Sequence, residues 1–175
     1  MSLYMQVSGV DGQVSAQGFS NWIELESVDL DISRHLNTQS GNIASREGSK
    51  PSLSEIEIKK FVDPATPDLF SNALTGKALN GDVVIAYTTT GSNPSTYLQV
   101  TLSDVIVSSY GLSADFLGAG EKQDEESKTA KNKHPIENIK LNYTKIEVQF
   151  TPHDKSGKAG SPKVASYDKE TALAG

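Results

Sequence analysis

The 175-residue chain contains no cysteine, which removes disulfide frameworks, thiolate metal ligands and cysteine nucleophiles together. Long apolar runs are missing too: no stretch approaches the roughly 20 residues that a membrane-spanning helix needs. The first ten residues, Met1 to Val10, show no basic segment, no long apolar centre and no small-residue cleavage site. A secretory leader is therefore not expected; synthesis in the cytoplasm is, with any export by another route. Positive charge is not in excess either. The formal net charge is -6, whereas a phosphate backbone or an anionic membrane is met by clustered Lys and Arg, so neither nucleic-acid binding nor membrane insertion is expected.

What remains is a chain of single-domain size, long enough to bury a continuous core. β-Branched residues recur in short runs separated by Gly, Ser, Thr, Asn and Asp, the signature of many short strands joined by turns. Tyr4 to Val10 sets Met5 and Val7 against Tyr4, Gln6 and Ser8 in the alternation of a half-buried strand. From Trp22 to Ile32 the apolar positions are Ile23 and Leu25, then Val28, Leu30 and Ile32. This change of phase at Glu26-Ser27 calls for a bulge or sharp bend that keeps both sets on one core. A second slip, at Thr144-Lys145, separates Ile139, Leu141 and Tyr143 from Ile146, Val148 and Phe150.

Leu53 to Val62 reads as a strand with Ile56 and Ile58 on one face and Glu55, Glu57 and Lys59 on the other. One helix stands out around 66–76: Thr66 can cap, Pro67 suits the first helical position and Gly76 can terminate. Leu69, Phe70, Ala73 and Leu74 form its apolar stripe. Asp82 to Thr89 and Tyr97 to Asp104 flank the turn-rich Gly91 to Ser95 and read as a hairpin. Val105 to Tyr110 continues as a further strand or a bent extension. Two segments lack core residues: the polar stretch Arg34 to Ser52 and the mixed-charge stretch Gly118 to Pro135, both expected to be surface loops. The expected class is mostly β, barrel-like, with two packed antiparallel sheets and one flanking helix. Residues 1–151 are expected to form the domain and 152–175 a loose tail.

No constellation of catalytic residues emerges. His35, His134 and His153 sit in polar segments without ligand-spaced partners, and no Gly-x-Ser-x-Gly nucleophile elbow occurs. Gly118-Ala119-Gly120 lacks the helix and lysine of a phosphate loop. Asp29 with Asp31 and Glu55 with Glu57 are the acidic pairs a glycosidase would draw on, but each alternates with apolar residues and reads as a wet sheet face. Trp22, the single tryptophan, reads as a packing residue rather than a sugar platform. No catalytic residue, cofactor or metal is expected, and an enzyme is not.

The order of features resembles a known family. Phe19-Ser20-Asn21-Trp22-Ile23-Glu24-Leu25 follows an N-terminal strand; then come a long polar loop and Pro51-Ser52-Leu53-Ser54-Glu55-Ile56-Glu57-Ile58-Lys59-Lys60. Asp63-Pro64-Ala65-Thr66-Pro67-Asp68-Leu69-Phe70 leads into the helix, and the Leu102 to Tyr110 and Leu141 to Ile146 patterns complete the series. Over about residues 3 to 150 this resembles the Hcp (haemolysin-coregulated protein) family, the tube proteins of type VI secretion systems. The charged Glu121 to Lys133 region, the tail beyond Phe150 and Val62-Asp63-Pro64 depart from its pattern.

The resemblance implies a homo-hexameric ring with a wide channel and rings that stack into a tube. It also implies a contractile sheath and a spike protein as partners, small effector proteins carried in the lumen, and export to the extracellular space or a target cell. Within that frame, Arg34 to Ser52 is expected to reach a neighbouring subunit, with Thr38, Gln39, Asn42, Arg46, Glu47 and Lys50 as contact residues. Gln99, Thr101 and Ser103, opposite Leu98, Val100 and Leu102, suit a wet channel wall and equally an ordinary solvent-facing sheet. The competing readings are a monomeric β-sandwich that binds carbohydrate or protein, and a glycoside hydrolase.

Overall fold

The computed structural model describes residues 1–34, 50–90, 94–114, 135–154 and 157–175. Along the chain lie β1 (Ser2–Gln6), β2 (Ile23–Leu25), β3 (Ser27–Asp29), β4 (Ile32–Ser33), β5 (Ser52–Leu53), β6 (Ile56–Phe61), α1 (Thr66–Thr75) and β7 (Val83–Thr88). They are followed by β8 (Thr96–Ser103), β9 (Ile106–Ser113), β10 (Ile136–Asn142), β11 (Lys145–Phe150), β12 (Lys163–Asp168) and β13 (Leu173–Ala174). A seven-stranded sheet, β13-β12-β11-β8-β7-β1-β2, packs on a four-stranded sheet, β3-β6-β10-β9, and β4-β5 form a separate ribbon. All pairings are antiparallel. The mostly-β class with one flanking helix is thus the observed one.

The phase slips in the sequence are the points at which the chain changes sheets. β2 belongs to the large sheet and β3 to the small one, with Glu26 between them. β10 and β11 are divided in the same way across Tyr143-Thr144, and β8 and β9 across Asp104-Val105. Side chains alternate with a period of two, so a residue of altered backbone at each corner lets both halves aim their apolar positions at one interior. Met5, Ile23, Ile85 and Leu102 of the large sheet meet Ile56, Ile58, Ile139 and Leu141 of the small one, and all eight are buried almost completely. Burial of such a side chain stabilises by about 1.5–3 kcal/mol.

Several expectations are corrected. β1 is buried on both faces rather than one: Tyr4 packs against Phe19, ring centroids 5.0 Å apart, with Val14 and Ala86 in the same cluster. The loop between β1 and β2 folds back over the outer face, held by backbone bonds such as Gly12 N–H to Asn21 O and Val14 N–H to Trp22 O. Ile32 does not join the core. It is 64% exposed, because β4 leaves both sheets for the ribbon.

In α1 the N-cap is Ala65 and Thr66 is already helical, so Pro67 is one position later than expected. The Thr66 hydroxyl instead accepts the Asp63 N–H at 3.0 Å, and the Asp63 carboxylate accepts the Ala65 N–H. Gly76 ends the helix as expected, at φ 62, where a side chain would be strained. Only part of the apolar stripe faces inward: Leu69 is buried and Ala73 packs on the core, while Phe70 and Leu74 are exposed.

The end of the chain is not loose where described. β12 pairs along all of β11, and β13 returns onto β12. The hairpin is held mainly by ladder hydrogen bonds: Val164 and Leu173 stay exposed, and only Tyr167 packs against the core.

Candidate functional site

The long polar stretch leaves the body on the β4-β5 ribbon, where Ile32 faces Leu53 and Ser33 faces Ser52. Two bonds lock its base: Ser54 N–H to Asp31 O at 2.9 Å and Asp31 N–H to Ser54 Oγ at 3.0 Å. Lys50 is exposed at the end of this stem. Thr38, Gln39, Asn42, Arg46 and Glu47 lie outside the described residues. Between the ribbon and β11-β12 runs a mostly apolar groove of about 250 Å³, with Ile32 and Leu53 on one side and Ile146, Val148 and Ala165 on the other.

The outer face of the large sheet is polar along β8 and β11. Gln99 and Thr101 of β8 lie beside Gln149 and Glu147 of β11, and Glu147 lies beside Ser166 of β12. Gln99 Nε2 donates to Thr101 Oγ1 at 3.2 Å along the strand. Val100 and Leu102 point the other way into the core. This is a band of amides, hydroxyls and one carboxylate, set by strict alternation and bordered by the apolar Val164 of β12 and Val84 and Ala86 of β7.

The acidic pairs noted in the sequence do converge. Asp29, Asp31, Glu55 and Glu57 line one pocket of about 270 Å³ with Ser54 and Lys140. Asp29 and Glu57 are cross-strand neighbours, and Lys140 Nζ approaches Glu57 at 3.7 Å with both side chains well exposed. Such a pair is worth little. Glu55 accepts the Asn142 amide at 2.9 Å, which pulls its carboxyl below the usual range. A glycosidase acid needs the opposite shift. Among the described residues no group of three or more His, Asp and Glu is placed to hold a metal ion.

A buried ionic cluster joins both sides of the helix approach. Lys60 and Glu137 are fully buried on adjacent strands, cross-strand partners whose ammonium and carboxylate touch directly. Asp63 adds a second carboxylate at 2.7 Å from Lys60 Nζ. Tyr110 donates its hydroxyl to Glu137, as does Thr66 at 3.1 Å. Burial, with the Glu137 bond, pushes the Tyr110 hydroxyl well above the ordinary tyrosine range. The sequence carried a signal for this cluster that periodicity alone did not flag: Lys60 is in phase with Ile56 and Ile58, and Glu137 with Ile139 and Leu141. Charges on the buried side of an alternation require partners. The cluster is sealed from solvent and ties β6, α1, β9 and β10 together.

Trp22 is half-buried and meets Phe19 edge-on at 5.0 Å, a packing role. No helix among the described residues is long and apolar enough to cross a membrane.

Comparison with known proteins places these features in a family. Residues 4–150 match the family described as type VI secretion system effector, Hcp. The protein hcp1 of Pseudomonas aeruginosa is 27% identical over 114 residues, which span 65% of this chain and 62% of that protein. The fold matches a solved type six secretion system protein with a TM-score of 0.82 at 22% identity, covering 99% of both chains. It also matches Hcp1 from Salmonella typhimurium, with a TM-score of 0.68 at 20% identity over 97% of this chain and 95% of that one. A type VI secretion system effector from Yersinia pestis gives a TM-score of 0.67 at 22% identity over 95% and 98%.

Proposed function

We propose that this chain, which belongs to the Hcp family of type VI secretion proteins, is a structural, non-enzymatic subunit of the secretion tube. In this reading six copies close into a ring, rings stack into a tube, and a contractile sheath drives the tube outward behind a spike protein. Export by that route takes the protein out of the cell. The observation that carries the reading is the family match over residues 4–150, supported by a two-sheet fold with a polar band on β8 and β11.

The Gln99, Thr101, Gln149 and Glu147 band is our candidate for the channel wall, and small effector proteins are its candidate cargo. A heterologous ring satisfies exposed surfaces in a controlled, closed way. The β4-β5 ribbon pairs with neither main sheet, and the loop it carries is our candidate for a contact with a neighbour. The carbohydrate-binding alternative is less favoured, because Trp22 is spent on Phe19.

Light scattering of the purified protein, with electron microscopy of the same fraction, tests the proposal. A six-subunit ring with an open centre is expected. A compact monomer over a wide concentration range would overturn it. Deleting Thr38 to Lys50 should weaken ring formation or stacking; unchanged assembly would remove the loop from the interface.

A further inference from the structure

The family match ends at Phe150, the last residue of β11. Were the chain to stop there, β11 would be the edge of the large sheet. It is six residues long, uninterrupted by proline, and carries Ile146, Val148 and Phe150 on one face. Such an edge, with its row of unpaired N–H and C=O groups, is a template for a strand from another copy.

β12 takes that edge instead, in register from Lys145 opposite Asp168 to Phe150 opposite Lys163. The new outer edge is a poor template. Pro162 precedes β12, and Lys163 opens it with an exposed charge; both discourage pairing. At the other end the two-residue β13 covers Tyr167 and Asp168, and Ser166 and Gly175 exchange both backbone bonds. The turn between β12 and β13 is pinned to the body. Asp168 accepts the Glu170 and Thr171 N–H groups, Lys169 N–H donates to Thr144 O at 2.9 Å, and the Lys169 ammonium lies 3.6 Å over the Tyr143 ring.

We propose that β12 and β13 are a strand cap. They occupy in cis the edge of β11 that a second copy of this chain would otherwise extend, so the large sheet ends within one molecule. The cap is a property of this chain's own sheet and does not depend on whether rings stack into tubes.

Full-length Ala165→Pro, which breaks β12 opposite Val148, tests it by light scattering at several concentrations. An apparent mass rising about two-fold or more above wild type, with the strand signal in circular dichroism kept, is expected. An unchanged mass overturns the proposal. If this variant loses its fold, Asp168→Ala with Lys169→Ala, which releases the turn without touching the ladder, is read for the same two outcomes. The absence of cysteine permits a second measurement: oxidised Val148→Cys with Ala165→Cys should lock β12 in cis and leave the mass as in wild type. A disulfide that joins two chains on a denaturing, non-reducing gel means that β12 is exchanged between copies, and the cis cap is wrong.

Discussion

Thr144 donates its hydroxyl to Asp104 at 2.8 Å, and each of these residues lies at a corner where its strand leaves one sheet for the other. Thr144 N–H and the Ser103 carbonyl add a backbone bond at 3.1 Å. The β8-β9 and β10-β11 crossings are therefore fastened to one another, and the relative placement of the two sheets depends on that junction.

Asp104 has φ 51, a conformation that Asp tolerates and a β-branched residue does not. Asp104→Val should cost about 1–3 kcal/mol, through backbone strain and the lost Thr144 bond. Asp104→Asn, which keeps both, should stay within about 0.5 kcal/mol of wild type. Urea denaturation of the two variants provides the comparison.

Removing Glu137 leaves the buried Lys60 with Asp63 as its one carboxylate partner, and takes away the acceptor of the Tyr110 hydroxyl. Glu137→Ala should destabilise by about 3–5 kcal/mol. Lys140→Ala, which removes the exposed pair with Glu57, should cost no more than about 1 kcal/mol. Equal losses in chemical denaturation would contradict the assignment of the buried cluster as the stronger tie.

At Gly12 an added methyl would meet the Trp22 carbonyl at 2.3 Å and the Ile23 Cα at 2.7 Å. These are backbone atoms, which cannot swing aside. Gly12→Ala should therefore destabilise by about 1–3 kcal/mol, an overpacking cost, and loosen the Tyr4-Phe19-Trp22 cluster. Tryptophan fluorescence reports on the latter through the single Trp22.

Burial pushes the Tyr143 hydroxyl up to about 12. Its folded value lies above the unfolded value of about 10, so the neutral phenol is favoured by folding. That contribution is complete below pH about 10 and is lost as pH rises to about 12. Lys169, lowered chiefly by burial, has the opposite sign: the penalty on its charged form is relieved as it deprotonates below the ordinary lysine range. Ultraviolet titration should show a late-ionising tyrosine that Tyr143→Phe removes, and the same substitution should flatten the loss of stability between those pH values.

Much of the fold was legible in the residues. The period of two in Ile56-Ile58 and Ile139-Leu141 marked the inner faces, and the slips at Glu26-Ser27 and Thr144-Lys145 marked the corners. Gly76 marked the end of the helix. The site was less legible. Gln99 and Thr101 could be assigned a polar face, but their neighbours Gln149 and Glu147 come from a strand far along the chain, and pairing is decided by sheet order. Phe70 and Leu74 read as core by helical spacing, yet Leu74 is exposed and Phe70 is only half-covered, edge-on to the Tyr110 ring at 5.4 Å, on a helix whose one buried apolar side chain is Leu69. Its outer apolar residues are left partly uncovered in a single chain.

The sequence by itself determined the class of fold, the strand faces, the bends and the exclusion of cysteine chemistry, because these depend on alternation, backbone preference and composition, which act within a few residues. The tertiary structure alone decided which sheet each half of a bent strand joins and that Lys60 meets Glu137, 77 positions further along the chain. It also decided that four separate carboxylates share one pocket and that β12 closes the edge of β11. Those outcomes rest on contacts between distant segments, where the gain from burial and hydrogen bonding has to exceed the entropy of bringing the segments together.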